Sequence, residues 1–160
     1  MSFLFALALF TSAELASNNV AVEAQTNAEP QYQPVQQLFD GMREHNAEKI
    51  ANAFVKGATL VRAKQTGQLK DTNISMFASS IAKRKKDYMD EQIIDYRVET
   101  FGNMANIWTY FVFYFNGNIS HCGVNSIHVI QQDNDWKIAH LMDSAYQGNC
   151  EDFIEKYQPK

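Results

Sequence analysis

The sequence predicts an α+β domain in which three N-terminal helices pack on a curved, mostly antiparallel sheet. The sheet is predicted by three long runs of aromatic and β-branched residues between positions 104 and 144, which turn residues separate. The helices are predicted by apolar residues that recur at three- and four-residue steps upstream. With 160 residues, 46% of them hydrophobic and 20% charged, the chain can bury the core of one such domain.

The charge limits the partners that we expect. The net charge is −4, so there is no basic excess for binding nucleic acid or an anionic membrane surface. Aromatic residues make up 12% of the chain, which suits an apolar pocket or a buried interface. The composition therefore leaves both a pocket and a buried interface open.

The first residues are similar to a secretory signal peptide, which we place at residues 1–24. Their apolar run at positions 3–10 is too short to span a bilayer, and Val22-Glu-Ala24 fits a small-x-small cleavage site. No Lys or Arg precedes the run. We expect a periplasmic or secreted protein with no membrane span in the mature chain. Residues 25–33 are polar and are expected to form an unstructured lead-in.

Two helices are expected next. Pro34 suits the first position of a helix, and Asn46 suits the N-cap of the following one, which Gly57 would end. The apolar stripe of the first helix consists of Val35, Leu38, Phe39 and Met42. That of the second consists of Ile50, Ala53 and Phe54.

The middle of the chain predicts short strands and a third helix. Strands are expected at 59–62 and 68–70, and a helix from Ile74 to about Lys86 follows the capping residues 71–73. Residues 93–101 alternate between apolar and polar, which predicts a strand with one wet face.

The last three strands form a predicted meander. Asn116-Gly117 joins the first two, because both residues tolerate the positive φ of a type I′ turn. The polar residues 131–135 join the second strand to the third.

This order resembles the nuclear transport factor 2-like superfamily, a cystatin-like α+β cone, over residues 34–150. The local signature is Ile107-Trp-Thr-Tyr-Phe-Val-Phe-Tyr-Phe-Asn-Gly-Asn-Ile-Ser-His-Cys-Gly-Val-Asn125, then Trp136-Lys-Ile138, Asp143 and Gly148-Asn-Cys150. It is similar to exported, SnoaL-like bacterial members, some of them labelled lumazine-binding. The resemblance implies the fold but no particular reaction, because members include enzymes and binding modules. Residues 151–160 would form a C-terminal tail.

The register of the meander predicts the pocket face. A two-residue turn places Trp108 opposite Asn125, and a three-residue loop at 133–135 places Asn125 opposite Asp143. A loop one residue longer or shorter would move Asp143 to the other face. The expected pocket residues are Trp108, Tyr110, His121, Asn125 and Asp143. The expected outer face includes Ile107, Phe111, Phe113 and Ile130, an apolar patch that suggests a homodimer.

Asp143 is the candidate general base, with His121 as its acid/base partner. Alternatively, Asp143 is a strand-end carboxylate that accepts a hydrogen bond from Trp108 or Tyr110, and His121 is a rim residue that faces solvent. In ketosteroid isomerase-like relatives a carboxylic acid matches Asn125, and other relatives carry Asp-Thr-Arg where this chain has residues 143–145. The amide of Asn125 and the absence of an arginine at position 145 therefore depart from the family pattern.

No cofactor is expected. The four histidines lack ligand spacing, and no dinucleotide, phosphate-loop or Gly-x-Ser-x-Gly motif is present. The two cysteines, Cys122 and Cys150, would meet an oxidising compartment after export, where we expect a disulfide that pins the tail to the sheet.

Two functions stay open, and a protein-interaction module, which would show a filled cone, is a third class. The first is a small-molecule-binding cone for an apolar or aromatic ligand. The second is an enzyme of the isomerase, dehydratase or hydrolase type that uses Asp143 with His121. A hydrogen-bonded pair of these two side chains facing a cavity would favour the enzyme.

Overall fold

The computed structural model of the chain describes residues 29–160. The expected signal peptide, 1–24, and the first part of the expected lead-in lie outside the described residues. The helices are α1 (Gln33–Arg43), α2 (Ala47–Asn52), α3 (Ile74–Lys83) and α4 (Cys150–Tyr157). The strands are β1 (Phe54–Ala63), β2 (Leu69–Thr72), β3 (Met89–Phe101), β4 (Met104–Phe115), β5 (Asn118–Gln132) and β6 (Asp135–Ala145). No helix in this part of the chain has the length and apolarity to cross a membrane.

The strands form one six-stranded sheet in the order β2-β1-β6-β5-β4-β3. Only the contact between β1 and β6 is parallel, and the others are antiparallel. Helices α1, α2 and α3 contribute to one large core with the inner face of the sheet. The expected α+β fold with helices on a mostly antiparallel sheet is thus confirmed.

Local sequence signals set several of these boundaries. The side chain of Asn46 caps α2 by accepting a hydrogen bond from the Lys49 backbone at 3.0 Å. Asn73 caps α3 in the same way, with the Met76 backbone as donor at 3.0 Å. At the β4–β5 turn, Asn116 and Gly117 both have positive φ, as expected for this hairpin.

Several expected boundaries are wrong, among them the end of α3, which lies at Lys83 and not near Lys86. Helix α2 ends at Asn52, and Phe54 already belongs to β1, where Gly57, at φ +84°, accompanies a break in the pairing with β6. Strand β3 begins at Met89, four residues before the apolar alternation that predicted it. The end of the expected lead-in forms a 3-10 helix, Pro30–Tyr32, because the Tyr32 ring is buried in a stack on Tyr96.

Bulges control which side chains face inward. Phe115 lies opposite Asn118 as expected, but Phe113 lies opposite His121, which leaves Ser120 unpaired. The β5–β6 loop has two residues, Asp133 and Asn134, rather than three. An extra residue in β6, Ala139, then restores the expected pairing of Asn125 with Asp143. That expected pair is correct, although the loop behind it is not.

The outer face of the sheet is partly covered by α4, which contains most of the expected C-terminal tail. Asn149 caps α4 through its side chain, and Phe153 packs on Val112. The expected disulfide is confirmed: Cys122 on β5 is bonded to Cys150 at the start of α4, with their Cα atoms 5.7 Å apart.

Candidate functional site

A cavity of about 320 Å³ lies between the helices and the inner face of the sheet. Helices α1 and α3 form one wall, and β1, β2, β3, β5 and β6 carry the polar residues of the other. Its apolar lining includes Phe39, Met42, Phe77, Ile81, Phe113 and Leu141. The polar lining consists of Arg62, Lys70, Thr72, Glu91, His121, Asn125 and Asp143.

The structure brings three of the five expected pocket residues together and separates the other two. His121, Asn125 and Asp143 line the cavity. Trp108 and Tyr110 do not line it, because the bulge at Ser120 shifts β4 by one residue against β5.

Both displaced aromatic residues lie on the outer face. Trp108 is 39% exposed there. Tyr110 stacks on Tyr157 of α4, with ring centroids 4.2 Å apart. The same shift turns Ile107 and Phe111 inward, where both are buried. Phe113 also faces inward, on the cavity wall. The expected outer patch is therefore largely core.

Asp143 is held by an arginine from another strand. Arg62 on β1 is its register partner across the parallel pairing, and Nε and Nη2 of Arg62 each lie 2.6 Å from Oδ2 of Asp143. Asp143 is only 8% exposed, whereas the Arg62 side chain is about half exposed. Neither Trp108 nor Tyr110 donates to this carboxylate, because both face the other side of the sheet.

Asn125 connects two neighbouring strands through its amide. Its Nδ2 donates to Oε1 of Glu91 at 2.9 Å and to Oγ1 of Thr109 at 3.1 Å. Both Asn125 and Thr109 are buried, and Asn125 lines the cavity. The amide that replaces a carboxylic acid of the family pattern thus serves as a hydrogen-bond donor to a carboxyl group.

Sequence reasoning missed Glu91, as it missed Arg62, Lys70 and Thr72 of the polar lining. Burial raises its pKa to about 7, the Asn125 hydrogen bond opposes that rise, and the Asp143 carboxylate adds to it. Its facing depends on a bulge at Ile94, since Ile93 pairs with Phe111 and Asp95 with Tyr110. The side chain of Tyr96 faces inward, and strict in-and-out alternation from there would point Glu91 to the outer face. The bulge reverses that facing, and because β3 begins early, Glu91 lies within the strand and reaches the cavity.

His121 is packed between aromatic rings. Its ring centroid lies 5.7 Å from that of Phe111 and 5.1 Å from that of Phe113. Burial lowers its pKa, and the Arg62 cation lowers it further, while Asp143 opposes both effects. In the described part of the chain its ring contacts Ser120, and no hydrogen bond joins it to Asp143. The expected acid/base pair shares the cavity without a direct contact.

The site carries no cluster that suits a metal. Across residues 29–160, no three His, Cys, Asp or Glu side chains come together in a way that could hold a metal ion. The chemistry that the side chains themselves offer is hydrogen bonding, ion pairing and proton transfer at carboxyl and imidazole groups.

Comparison with solved structures identifies similar folds at low sequence identity. A protein of unknown function from Mycobacterium tuberculosis has a TM-score of 0.62 and 14% identity, over 76% of this chain and 73% of that one. A nuclear transport factor 2-like protein with a cystatin-like fold from Novosphingobium aromaticivorans has a TM-score of 0.58 and 11% identity, over 74% and 81%. A provisionally assigned scytalone dehydratase from the same organism has a TM-score of 0.59 and 11% identity, over 72% and 80%.

These similarities show the fold and confirm the resemblance at that level. No protein-family model matches the chain. No curated protein matches it either. The fold hosts different activities, so the function has to be inferred from the residues of the cavity.

Proposed function

We propose that this chain, which has the nuclear transport factor 2-like fold, binds a small apolar or aromatic molecule in the cavity of its cone. The observation that carries the proposal is the cavity itself, which has a volume of about 320 Å³ and apolar walls. Its polar side chains gather around Glu91, Asn125 and Asp143. Small-molecule sites commonly combine apolar walls with a few polar groups that orient the ligand.

The experiment measures binding in the intact cavity and in a filled one. Native mass spectrometry of the purified protein would detect a retained molecule, and 1-naphthol would serve as a fluorescent probe. Leu60→Trp places an indole in the cavity wall and is expected to lower probe affinity at least tenfold. Leu69→Trp is the matched control, because Leu69 is exposed and does not line the cavity. Equal binding by both variants, or none by the parent, would contradict the proposal.

The second candidate is an enzyme of the isomerase, dehydratase or hydrolase type. The observation that favours it is a group able to transfer protons near neutral pH, because the pKa of Glu91 is raised to about 7. In the expected assignment, Asp143 is the base and His121 its partner. Since Arg62 pairs with Asp143, we assign proton transfer to Glu91 first and retain Asp143 and His121 as groups that contact the substrate. Loss of turnover in Glu91→Gln with retained probe binding would support this enzyme.

We also propose that the protein works in the periplasm or is secreted. The Cys122–Cys150 disulfide supports this location, because such bonds persist in oxidising compartments. Fractionation of cells that express the full chain would test it. Protein found only in the reduced cytosolic fraction would contradict it.

We propose, finally, a homodimer through the outer face of the sheet. The residues that would form its interface differ from those expected from the sequence. Exposed Trp108 and Met104 lie on that face, beyond the part that α4 covers. Trp108→Ser would then shift sedimentation from dimer to monomer at micromolar concentration. A monomeric parent would contradict the dimer.

A further inference from the structure

Two carboxylates in the cavity keep an oxygen without a hydrogen bond. Arg62 contacts only Oδ2 of Asp143, and Asn125 contacts only Oε1 of Glu91. Within residues 29–160, no donor reaches Oδ1 of Asp143 or Oε2 of Glu91. Neither oxygen is a fully buried atom, and both residues line the cavity, so a ligand that brings N–H groups can donate to these oxygens from within it.

The charges nearby leave the two carboxylates incompletely compensated. Arg62 neutralises Asp143, and Arg43 of α1 is engaged by Asp40 and Asp90. His121 tends to be neutral, because burial lowers its pKa. Tyr32 also stays neutral, because burial raises its pKa. Lys70 is the other cation of the lining, and it is exposed on β2, where water screens it.

We propose that the cavity selects a ligand with a basic nitrogen, namely an aliphatic or arylalkyl amine whose ammonium group lies between Glu91 and Asp143. This inference rests on the proposed binding function and names the class of molecule bound. The ammonium donates to the two unpartnered carboxylate oxygens, while the apolar body packs against Phe77 and Phe113. An amine thus supplies both the donors and the positive charge that this end of the cavity lacks.

An acidic ligand fits the same end poorly. Arg62 is the guanidinium available to it, and two of its nitrogens are already directed at Asp143. A bound carboxylate would place a third negative charge beside Glu91 and Asp143. A neutral alcohol could donate one hydrogen bond but would leave the charge of Glu91 uncompensated.

The pH dependence follows from the state of Glu91. An alkylamine stays protonated up to pH ~9, whereas Glu91 changes from neutral to ionised around pH 7. The groups whose charges act on Glu91 are Asp143, Arg62 and Asp90, and the hydroxyl of Tyr32 also interacts with it. Amine affinity is therefore expected to rise about tenfold between pH 6 and pH 8, since the ionised fraction of a group with pKa 7 rises by that factor.

Three probes of equal size separate the possibilities: benzylamine, benzyl alcohol and benzoate. Isothermal calorimetry at pH 6 and pH 8 is expected to show that benzylamine binds most tightly. Only its affinity is expected to rise between pH 6 and pH 8. Glu91→Gln should abolish that rise and lower benzylamine affinity about tenfold at pH 8. Glu99→Gln, an exposed carboxyl on the same strand, should change neither.

The outcomes distinguish this inference from the proposed function. If benzyl alcohol or benzoate binds as tightly as benzylamine at pH 8, the amine class is wrong but a small-molecule cavity stands. If none of the three probes binds but 1-naphthol does, the amine class is wrong and the small-molecule cavity stands. If 1-naphthol does not bind either, both proposals fail. The ranking and pH profile of the parent protein decide the matter even if Glu91→Gln does not fold.

Discussion

Arg62 and Asp143 are register partners on adjacent parallel strands, and two guanidinium nitrogens lie 2.6 Å from the same carboxylate oxygen. The contact joins positions 81 residues apart in sequence. It depends on the single parallel pairing of the sheet, which lays β1 beside β6. The guanidinium beside Asp143 is therefore supplied by β1 through this strand pairing and not by a neighbour in sequence.

Replacing Arg62 should destabilise the protein, because the buried carboxylate of Asp143 would lose its cation. Arg62→Gln leaves Asp143, which is 8% exposed, without its cation, and is expected to lower the free energy of unfolding by about 2 kcal/mol. Urea denaturation at pH 7 measures the change. Asp143→Asn in the Arg62→Gln background should recover most of the loss, because it removes the unpaired charge.

The control for that cycle is Arg97→Gln, which removes an exposed arginine on the outer face of β3. We expect a change within about 0.5 kcal/mol. If Arg62→Gln is as mild as this control, the ion pair contributes little to stability.

Glu91 should make the protein less stable as pH rises. Its pKa is about 7 in the folded state and 4.5 when exposed, so both states are protonated below pH 4.5 and stability falls as pH rises from 4.5 to 7. Glu91→Gln cannot ionise and can still accept the Asn125 hydrogen bond. Relative to the parent, it should be near neutral at pH 4 and more stable by on the order of 2 kcal/mol at pH 8.

Thermal unfolding of both proteins across pH 4 to 8 measures this difference. Glu99→Gln, which is exposed, should show no such trend. A constant difference between Glu91→Gln and the parent across this range would mean that Glu91 does not titrate in the folded protein near pH 7.

The sequence allowed the fold to be predicted but only part of the site. The Asn116-Gly117 turn, the N-caps and the apolar periodicities each have a local cause, so they could be read from neighbouring residues. The bulges at Ser120, Ile94 and Ala139 have no comparable signal. Successive side chains of a strand point to opposite faces of the sheet. Each bulge therefore moves the side chains that follow it in the strand to the face opposite the one expected.

The outcome for each site residue follows from those bulges. Asn125 and Asp143 were paired correctly because the shorter loop and the bulge at Ala139 compensate each other. Trp108 was assigned to the wrong face because nothing compensates the bulge at Ser120. Glu91 was missed because the apolar pattern begins at Ile93, after the strand has started.

Gly123 should be the glycine of β5 that cannot be replaced. A Cβ atom at this position would lie 2.1 Å from the backbone oxygen of Ser144, which cannot move without breaking the β5–β6 pairing. Gly123→Ala is expected to cost about 3 kcal/mol or to prevent folding. Chemical denaturation measures the cost.

Gly117→Ala is the matched comparison. Gly117 has positive φ but open space around its Cβ, so its substitution should cost only about 1 kcal/mol. Equal costs at the two glycines would contradict the close approach of β5 and β6.

The last prediction concerns the disulfide that fixes α4. Cys122 and Cys150 are separated by 28 positions, so their bond should stabilise the domain by about 3.6 kcal/mol in the chain-entropy model. Reduction should lower the urea midpoint accordingly and increase hydrogen exchange in α4 first, because α4 then holds the sheet only through contacts such as that of Phe153. The double variant Cys122→Ala with Cys150→Ala controls for the reductant, which should not affect it further. Two reactive thiols in denatured, unreduced protein that was made under oxidising conditions would show that the bond does not form.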